Sequence, residues 1–146
     1  MYVLLDNVRS AFNTGSMFRT ADAAGVTKMI LSGITPYPPH NKLQKTALGA
    51  LESVRWEYVE DVLSAVQKLK EQGIPIISVE LDPRAVSYDT FAYPDRFCLV
   101  MGHELMGVNE KILDISDHIV QIPMHGVKNS LNVAVSFGIV VYESIR

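Results

Sequence analysis

Six short apolar runs, separated by polar or amphipathic stretches, are the feature that most constrains this chain: Tyr2 to Leu5, Lys28 to Leu31, Arg55 to Val59, Pro75 to Val79, Phe97 to Met101 and His118 to Pro123. Runs of four to six residues suit strands buried on both faces, which is how strands sit in a parallel sheet covered by helices. The intervening stretches read as those helices. The clearest covers Asp61 to Gln72, where Val62, Ala65, Val66 and Leu69 share one face and Lys68, Lys70 and Glu71 lie on the other, with Asp61 as N-cap and Gly73 as the stop. The expected fold class is α/β, a mainly parallel six-stranded sheet flanked by helices. With 146 residues there is room for one domain, 1–146, and no linker or internal repeat divides it.

The last helical stretch, Asn132 to Arg146, is apolar around most of its circumference through Val133, Val135, Phe137, Ile139, Val140, Val141, Tyr142 and Ile145. One core contact cannot cover so much surface, so a second copy of the chain is the simplest cover and a homodimer is expected. Between Ser32 and Lys42 the sequence Gly33-Ile34-Thr35-Pro36-Tyr37-Pro38-Pro39-His40-Asn41 is rich in residues that end helices and strands, and predicts a loop.

A formal net charge of −3 argues against a general polyanion-binding surface, so any nucleic-acid contact must come from a local patch. Arg9, Arg19, Lys42, Lys45 and Lys128 are the candidates for it. Cys98 is the only cysteine and lies in an apolar run, which excludes an intrachain disulfide or a zinc framework and fits a reducing, cytoplasmic setting. His40, His118 and His125 have no metal-ligand spacing with one another or with Cys98, and no metal is expected. No apolar run reaches membrane-spanning length and no signal segment is visible, so a soluble protein is expected.

Three polar turns interrupt this apolar plan. They are Asn13-Thr14-Gly15-Ser16-Met17-Phe18-Arg19-Thr20-Ala21, Val100-Met101-Gly102-His103-Glu104-Leu105-Met106-Gly107-Val108, and Ile122-Pro123-Met124-His125-Gly126-Val127-Lys128-Asn129-Ser130-Leu131-Asn132-Val133. In the third, Ser130 and Asn132 stand where a helix begins, free to cap orphan amides or to contact a ligand. No G-x-G-x-x-G cradle follows the first strand, which speaks against a dinucleotide-binding enzyme. In their order the three turns resemble the motifs of the SpoU/TrmH family of the SPOUT class, S-adenosylmethionine-dependent RNA ribose 2'-O-methyltransferases.

That resemblance implies a C-terminal deep trefoil knot, dimerisation through the last helix, and S-adenosylmethionine as cofactor. It also implies a pocket whose matching positions are Val79, Gly102, Ile122, Met124, Ser130 and Leu131, and a catalytic set matching Arg19, Asn13, Glu104, Ser130 and Asn132. Gly102 would allow main chain to approach the ligand. Arg19, on the helix opened by Asn13, would act on RNA across the dimer interface. A guanidinium has a pKa above about 12 and no lone pair at neutral pH, so it would hold a phosphate and stabilise the developing alkoxide rather than act as a free base. Asn13 would cap its own helix or hydrogen-bond the ribose or the third turn, and Glu104 would anchor Arg19 or neighbouring main chain. Tyr37, in the breaker-rich loop, is available either to stack on a base or to pack within a rigid surface connection.

The middle turn departs from the family pattern, since Gly102-His103-Glu104-Leu105 stands where Gly-Asn-Glu-Gly or Gly-Ser-Glu-Gly is usual. The expected activity is methyl transfer to a ribose 2'-hydroxyl of structured RNA, with tRNA ahead of rRNA. The chain's small size resembles the minimal family members, which lack an extra RNA-binding domain. The alternatives are a catalytically inactive RNA-binding or assembly factor of the same fold, and a nucleotide-binding α/β protein of unrelated function.

Overall fold

The computed structural model describes residues 1–146. In chain order its elements are β1 (Tyr2–Asp6), α1 (Ala11–Ala24), β2 (Lys28–Ser32), α2 (Asn41–Ala47), α3 (Ala50–Ser53), β3 (Trp56–Val59), α4 (Val62–Glu71), β4 (Ile76–Val79), β5 (Val86–Ser87), β6 (Cys98–Met101), α5 (Glu110–Ile115), β7 (His118–Gln121) and α6 (Val133–Ser144). Every strand pairing is parallel, and the order across the sheet is β3-β2-β1-β6-β4-β7-β5. All six apolar runs become strands. The expected six-stranded sheet nevertheless has seven, because Val86 and Ser87 add a short edge strand beside β7. Two residues carry no apolar run, so nothing in the local sequence marks it.

Helices cover both faces because the side chains of each strand alternate. Val3 and Leu5 of β1 join Met29, Leu31, Leu99 and Met101 in a core with Met17 and Phe18 of α1 and Phe137, Val140 and Val141 of α6. Leu4, Ile30, Cys98 and Val100 point the other way, onto Val66 of α4 and Ile112 of α5. Asp61 caps α4 as its position predicts, accepting from the Leu63 and Ser64 amides, and Gly73 ends it with a positive φ of 75°.

The start of α1 differs from expectation. Ser10, not Asn13, is its cap, and the Ser10 hydroxyl accepts from the Asn13 amide at 3.1 Å. The helix therefore opens at Ala11 and carries Asn13 on its first turn, which frees the Asn13 side chain for other partners. Gly15 faces α2, where a Cβ would collide with the Thr46 hydroxyl and the Leu43 carbonyl oxygen. Close approach of the two helices requires glycine there.

The last helix is apolar on more than its buried side. Phe137, Val140 and Val141 face the core, while Val135, Tyr142 and Ile145 are about half exposed at 52%, 50% and 46%. No helix is long and apolar enough to cross a membrane. Cys98 is fully buried, and that burial pushes its thiol up to about 12. The native protein should therefore resist a thiol-specific reagent at pH 8 and react stoichiometrically once unfolded in urea. Fast native labelling would show that the sheet opens locally.

Candidate functional site

Neighbouring strands β6, β4 and β7 all end at the same edge of the sheet, and a cleft of about 480 Å³ opens over their C-terminal ends. Ligands commonly bind there in open parallel sheets, because the loops leaving the strands diverge. Val79 closes β4, Gly102 follows β6, and Ile122 follows β7, so three of the expected pocket residues are placed by the sheet itself. Met124, Ser130 and Leu131, from the long loop before α6, line the same cleft. Glu104 lines it too.

Gly102, which lines the cleft, also admits the chain's own backbone. A Cβ at this position would collide with the Gly107 carbonyl carbon and the Val108 nitrogen, so the space is filled by the chain's own backbone. The loop from Gly102 to Val108 folds back on itself: the His103 amide donates to the Gly107 carbonyl at 3.1 Å, and the Gly107 amide donates to the His103 carbonyl at 2.8 Å. Within it His103 Nδ1 accepts from the Leu105 and Met106 amides at 3.0 and 3.1 Å. The imidazole is a turn-builder here. Leu105 and Met106 are pushed out to 82% and 83% exposure at the rim of the cleft.

Glu104 is the joint of the site. Its Oε1 accepts from the Arg9 amide at 2.7 Å, and its Oε2 accepts from the Ser10 amide at 2.8 Å and from Asn13 Nδ2 at 3.2 Å. Of the two partners expected for Glu104, neighbouring main chain is the one found, and Arg19 of the same chain does not reach it. Asn13 Oδ1 in turn accepts from Asn132 Nδ2 at 3.1 Å, while Asn132 Oδ1 caps α6 by accepting from the Ala134 and Val135 amides. One continuous chain of hydrogen bonds thus joins all three polar turns. Burial alone would raise the Glu104 carboxyl, but the hydrogen bonds from Arg9, Ser10 and Asn13 outweigh it and hold it below the ordinary glutamate range.

Arg19 is not among the residues lining the cleft of its own chain. Six positions beyond Asn13, it lies on a different side of α1 and is exposed. Arg9, Lys42, Lys45 and Lys128 are also exposed, and none of the five cations belongs to an ion pair. Tyr37 packs within the protein, its ring 4.4 Å from Tyr58, yet stays 46% exposed.

Two features of the cleft escape sequence reasoning. Glu80, just past β4, accepts from the Val108 amide at 3.0 Å and so props the loop that Gly102 begins. Arg84 binds Asp82 and Asp114 at 2.9 Å each and Glu110 at 3.2 Å, with its hydrogen bonds holding the Asp82 carboxyl down to about 2. In sequence both look like solvated turn residues. The only available signal is a carboxylate directly after an apolar strand. Glu80, Asp82, Glu104 and Glu110 all line the cleft, and no lysine or arginine does. A cleft with this lining suits a nucleoside that carries positive charge and lacks phosphates.

The model of the SpoU rRNA Methylase family matches residues 1–142. A tRNA (guanosine(18)-2'-O)-methyltransferase of Aquifex aeolicus (strain VF5) is 35% identical over 150 residues, covering 100% of this chain and 69% of that relative. Curated relatives are spanned over about 57–69% of their length. Among solved structures, an AdoMet-bound rRNA methyltransferase from Sinorhizobium meliloti superposes with a TM-score of 0.91 at 29% identity, over 98% of this chain and 54% of that one. A structure described as giving insight into the 2-OH methylation of C/U34 on tRNA superposes with a TM-score of 0.87 at 25% identity, over 98% of this chain and 92% of that one.

Replacing Glu104 by glutamine puts at most one acceptor where two oxygens now serve three donors. Glu104→Gln should lower stability by about 1–3 kcal/mol in urea unfolding at pH 7. Because the folded carboxyl is depressed, the wild type's advantage is present above the unfolded glutamate pKa and disappears as pH falls through the folded value. The variant lacks that pH-dependent loss. Equal stability at pH 7 would show that the joint is not under load.

Proposed function

The chain belongs to the SpoU rRNA Methylase family, and we propose that it transfers a methyl group from S-adenosylmethionine to a ribose 2'-hydroxyl of structured RNA, tRNA ahead of rRNA. The observation that carries the reading is the continuous link Glu104–Asn13–Asn132 beside a cleft built over three adjacent strand ends. Preference for tRNA rests on the Aquifex relative and on the C/U34 structure, whose length this chain spans almost fully.

The cleft fits the cofactor by its chemistry. Val79, Ile122, Met124 and Leu131 offer apolar walls for an adenine, Ser130 a hydroxyl, and Glu80 and Glu104, which have no cationic partner, a negative field for a sulfonium and an ammonium. When bound, S-adenosylmethionine supplies an electrophilic methyl group. The protein's part is to orient the sugar and to stabilise the oxygen as it loses its proton. Asn13 and Asn132, held in register by Glu104, stand ready at the site's edge to hydrogen-bond the ribose. Arg19 holds a substrate phosphate in its planar fork and stabilises the alkoxide, and that phosphate or a water takes the proton.

Since Arg19 lies off the cleft of its own chain, it serves the cleft of a second copy. Support for that homodimer comes from α6, whose Val135, Tyr142 and Ile145 are left half exposed, and from α1, which packs against α6 and carries half-exposed Phe12. The reading brings with it a deep trefoil knot in the C-terminal part of the chain and a cytoplasmic site of action. Arg9, Lys42, Lys45 and Lys128 form the accessory phosphate contacts, and exposed Tyr37 offers a face to an unstacked base.

Purified protein with labelled cofactor should methylate total RNA, and hydrolysis should return the label on ribose. Arg19→Ala should cut transfer by at least about 100-fold while cofactor affinity stays within a few-fold, and Arg19→Lys should also fail because a point charge lacks the fork. Cofactor binding without any transfer by the wild type would instead favour an inactive RNA-binding factor.

A further inference from the structure

A second cavity lies between the face of β2 and β3 and helix α4. Thr27, Lys28 and Arg55 sit at the start of the two strands, and Ala65, Lys68 and Leu69 of α4, with its C-cap Gln72, stand over them. Register aligns three side chains there. Tyr2 stands beside Lys28, and the pairing of Met29 with Trp56 puts Arg55 next in the row. Lys68 and Gln72, near the end of α4, close the other wall.

The charge in this cavity is unbalanced. Lys28 is paired with Glu57 at 3.2 Å, its side chain 26% exposed, whereas Arg55 and Lys68 are exposed and belong to no ion pair. Three cations against one carboxylate leave an excess of two positive charges, in a chain whose net charge is −3. The cavity measures about 260 Å³, a little under the lower end, about 300 Å³, of small-molecule sites. That size suits a phosphorylated group rather than a whole cofactor. A guanidinium and an ammonium free of ion pairs, with Lys28 lining the same cavity, match a phosphate monoester, which carries about −1.5 to −2 at neutral pH, better than a singly charged carboxylate.

We infer that the cavity lined by Lys28, Arg55 and Lys68 binds a phosphate monoester, delivered either by a free nucleotide or by the terminal phosphate of an RNA. It is separate from the cleft, which shares none of its lining residues and is lined by no lysine or arginine. The inference does not depend on methyl transfer, and its failure would leave the proposed activity untouched.

Uridine 5'-monophosphate is a suitable probe because it carries no adenine to draw it into the cleft. Titrated into the protein, it should shift the amide resonances of Lys28, Arg55 and Lys68, with uridine giving no such shift. Arg55→Ala combined with Lys68→Ala should weaken it at least ten-fold, while Lys111→Ala, which removes an exposed cation elsewhere, should leave it unchanged. Both replaced side chains are exposed, so folding should survive, and an unchanged spectrum outside the cavity confirms that.

A matched pair of oligoribonucleotides, one with a 5'-phosphate and one with a 5'-hydroxyl, separates the sources. Tighter binding of the phosphorylated form by the wild type, lost in the double variant, identifies an RNA end. Equal binding of the two, with uridine 5'-monophosphate still sensitive to the variant, identifies a free nucleotide. If neither the nucleotide nor the phosphorylated oligonucleotide distinguishes wild type from the double variant, the inference is wrong.

Discussion

One partly buried carboxylate holds the functional end of this molecule together. Glu104 comes from the loop after β6, its backbone partners Arg9 and Ser10 lie just after β1, and Asn13 relays the connection to the cap of α6. Strands β1 and β6 are neighbours in the sheet, so these segments meet although more than ninety residues separate them in sequence. The Arg9 and Ser10 amides stand at the entrance to α1, where no intrahelical acceptor is available. An acidic side chain from elsewhere satisfies them and complements the positive end of the helix.

Around this joint, small choices of residue fix where the cleft walls stand. Gly102 lets the Gly107–Val108 backbone pass close by, Glu80 fastens the Val108 amide, and the buried Asp6 accepts from the Asn109 amide at 2.7 Å. His103 turns the loop between them by accepting two amides from one nitrogen. The Gly102 and His103 contacts lie within the middle turn, while Glu80 and Asp6 tie it to the ends of β4 and β1, so the cleft wall is set by the sheet and not by a free loop.

Much of this was legible in the residues. Six apolar runs give six strands in the right places, and Asp61 and Gly73 bound α4 because caps and stops act locally. All six expected pocket positions share one cleft, since each follows a strand end or opens a helix. What stayed hidden depends on distant partners. Which of its possible partners Asn13 takes is decided by Ser10, which does the capping, and Glu104 takes main chain over Arg19 because β1 lies beside β6. Glu80, Arg84 and the two-residue β5 give no local pattern, and their roles exist only once the loops are folded together. Arg19 is the reverse case, singled out by motif and left outside its own chain's cleft.

A crystal structure of the protein with S-adenosylhomocysteine tests the central claim, that the three polar turns jointly hold the methyl donor, more directly than any activity. The nucleoside should lie in the cleft against Val79, Ile122 and Leu131, its sulfur directed toward the Asn13–Asn132 link. A ligand seated elsewhere, or a cleft whose loops part from the Glu104 joint to admit it, would contradict the account.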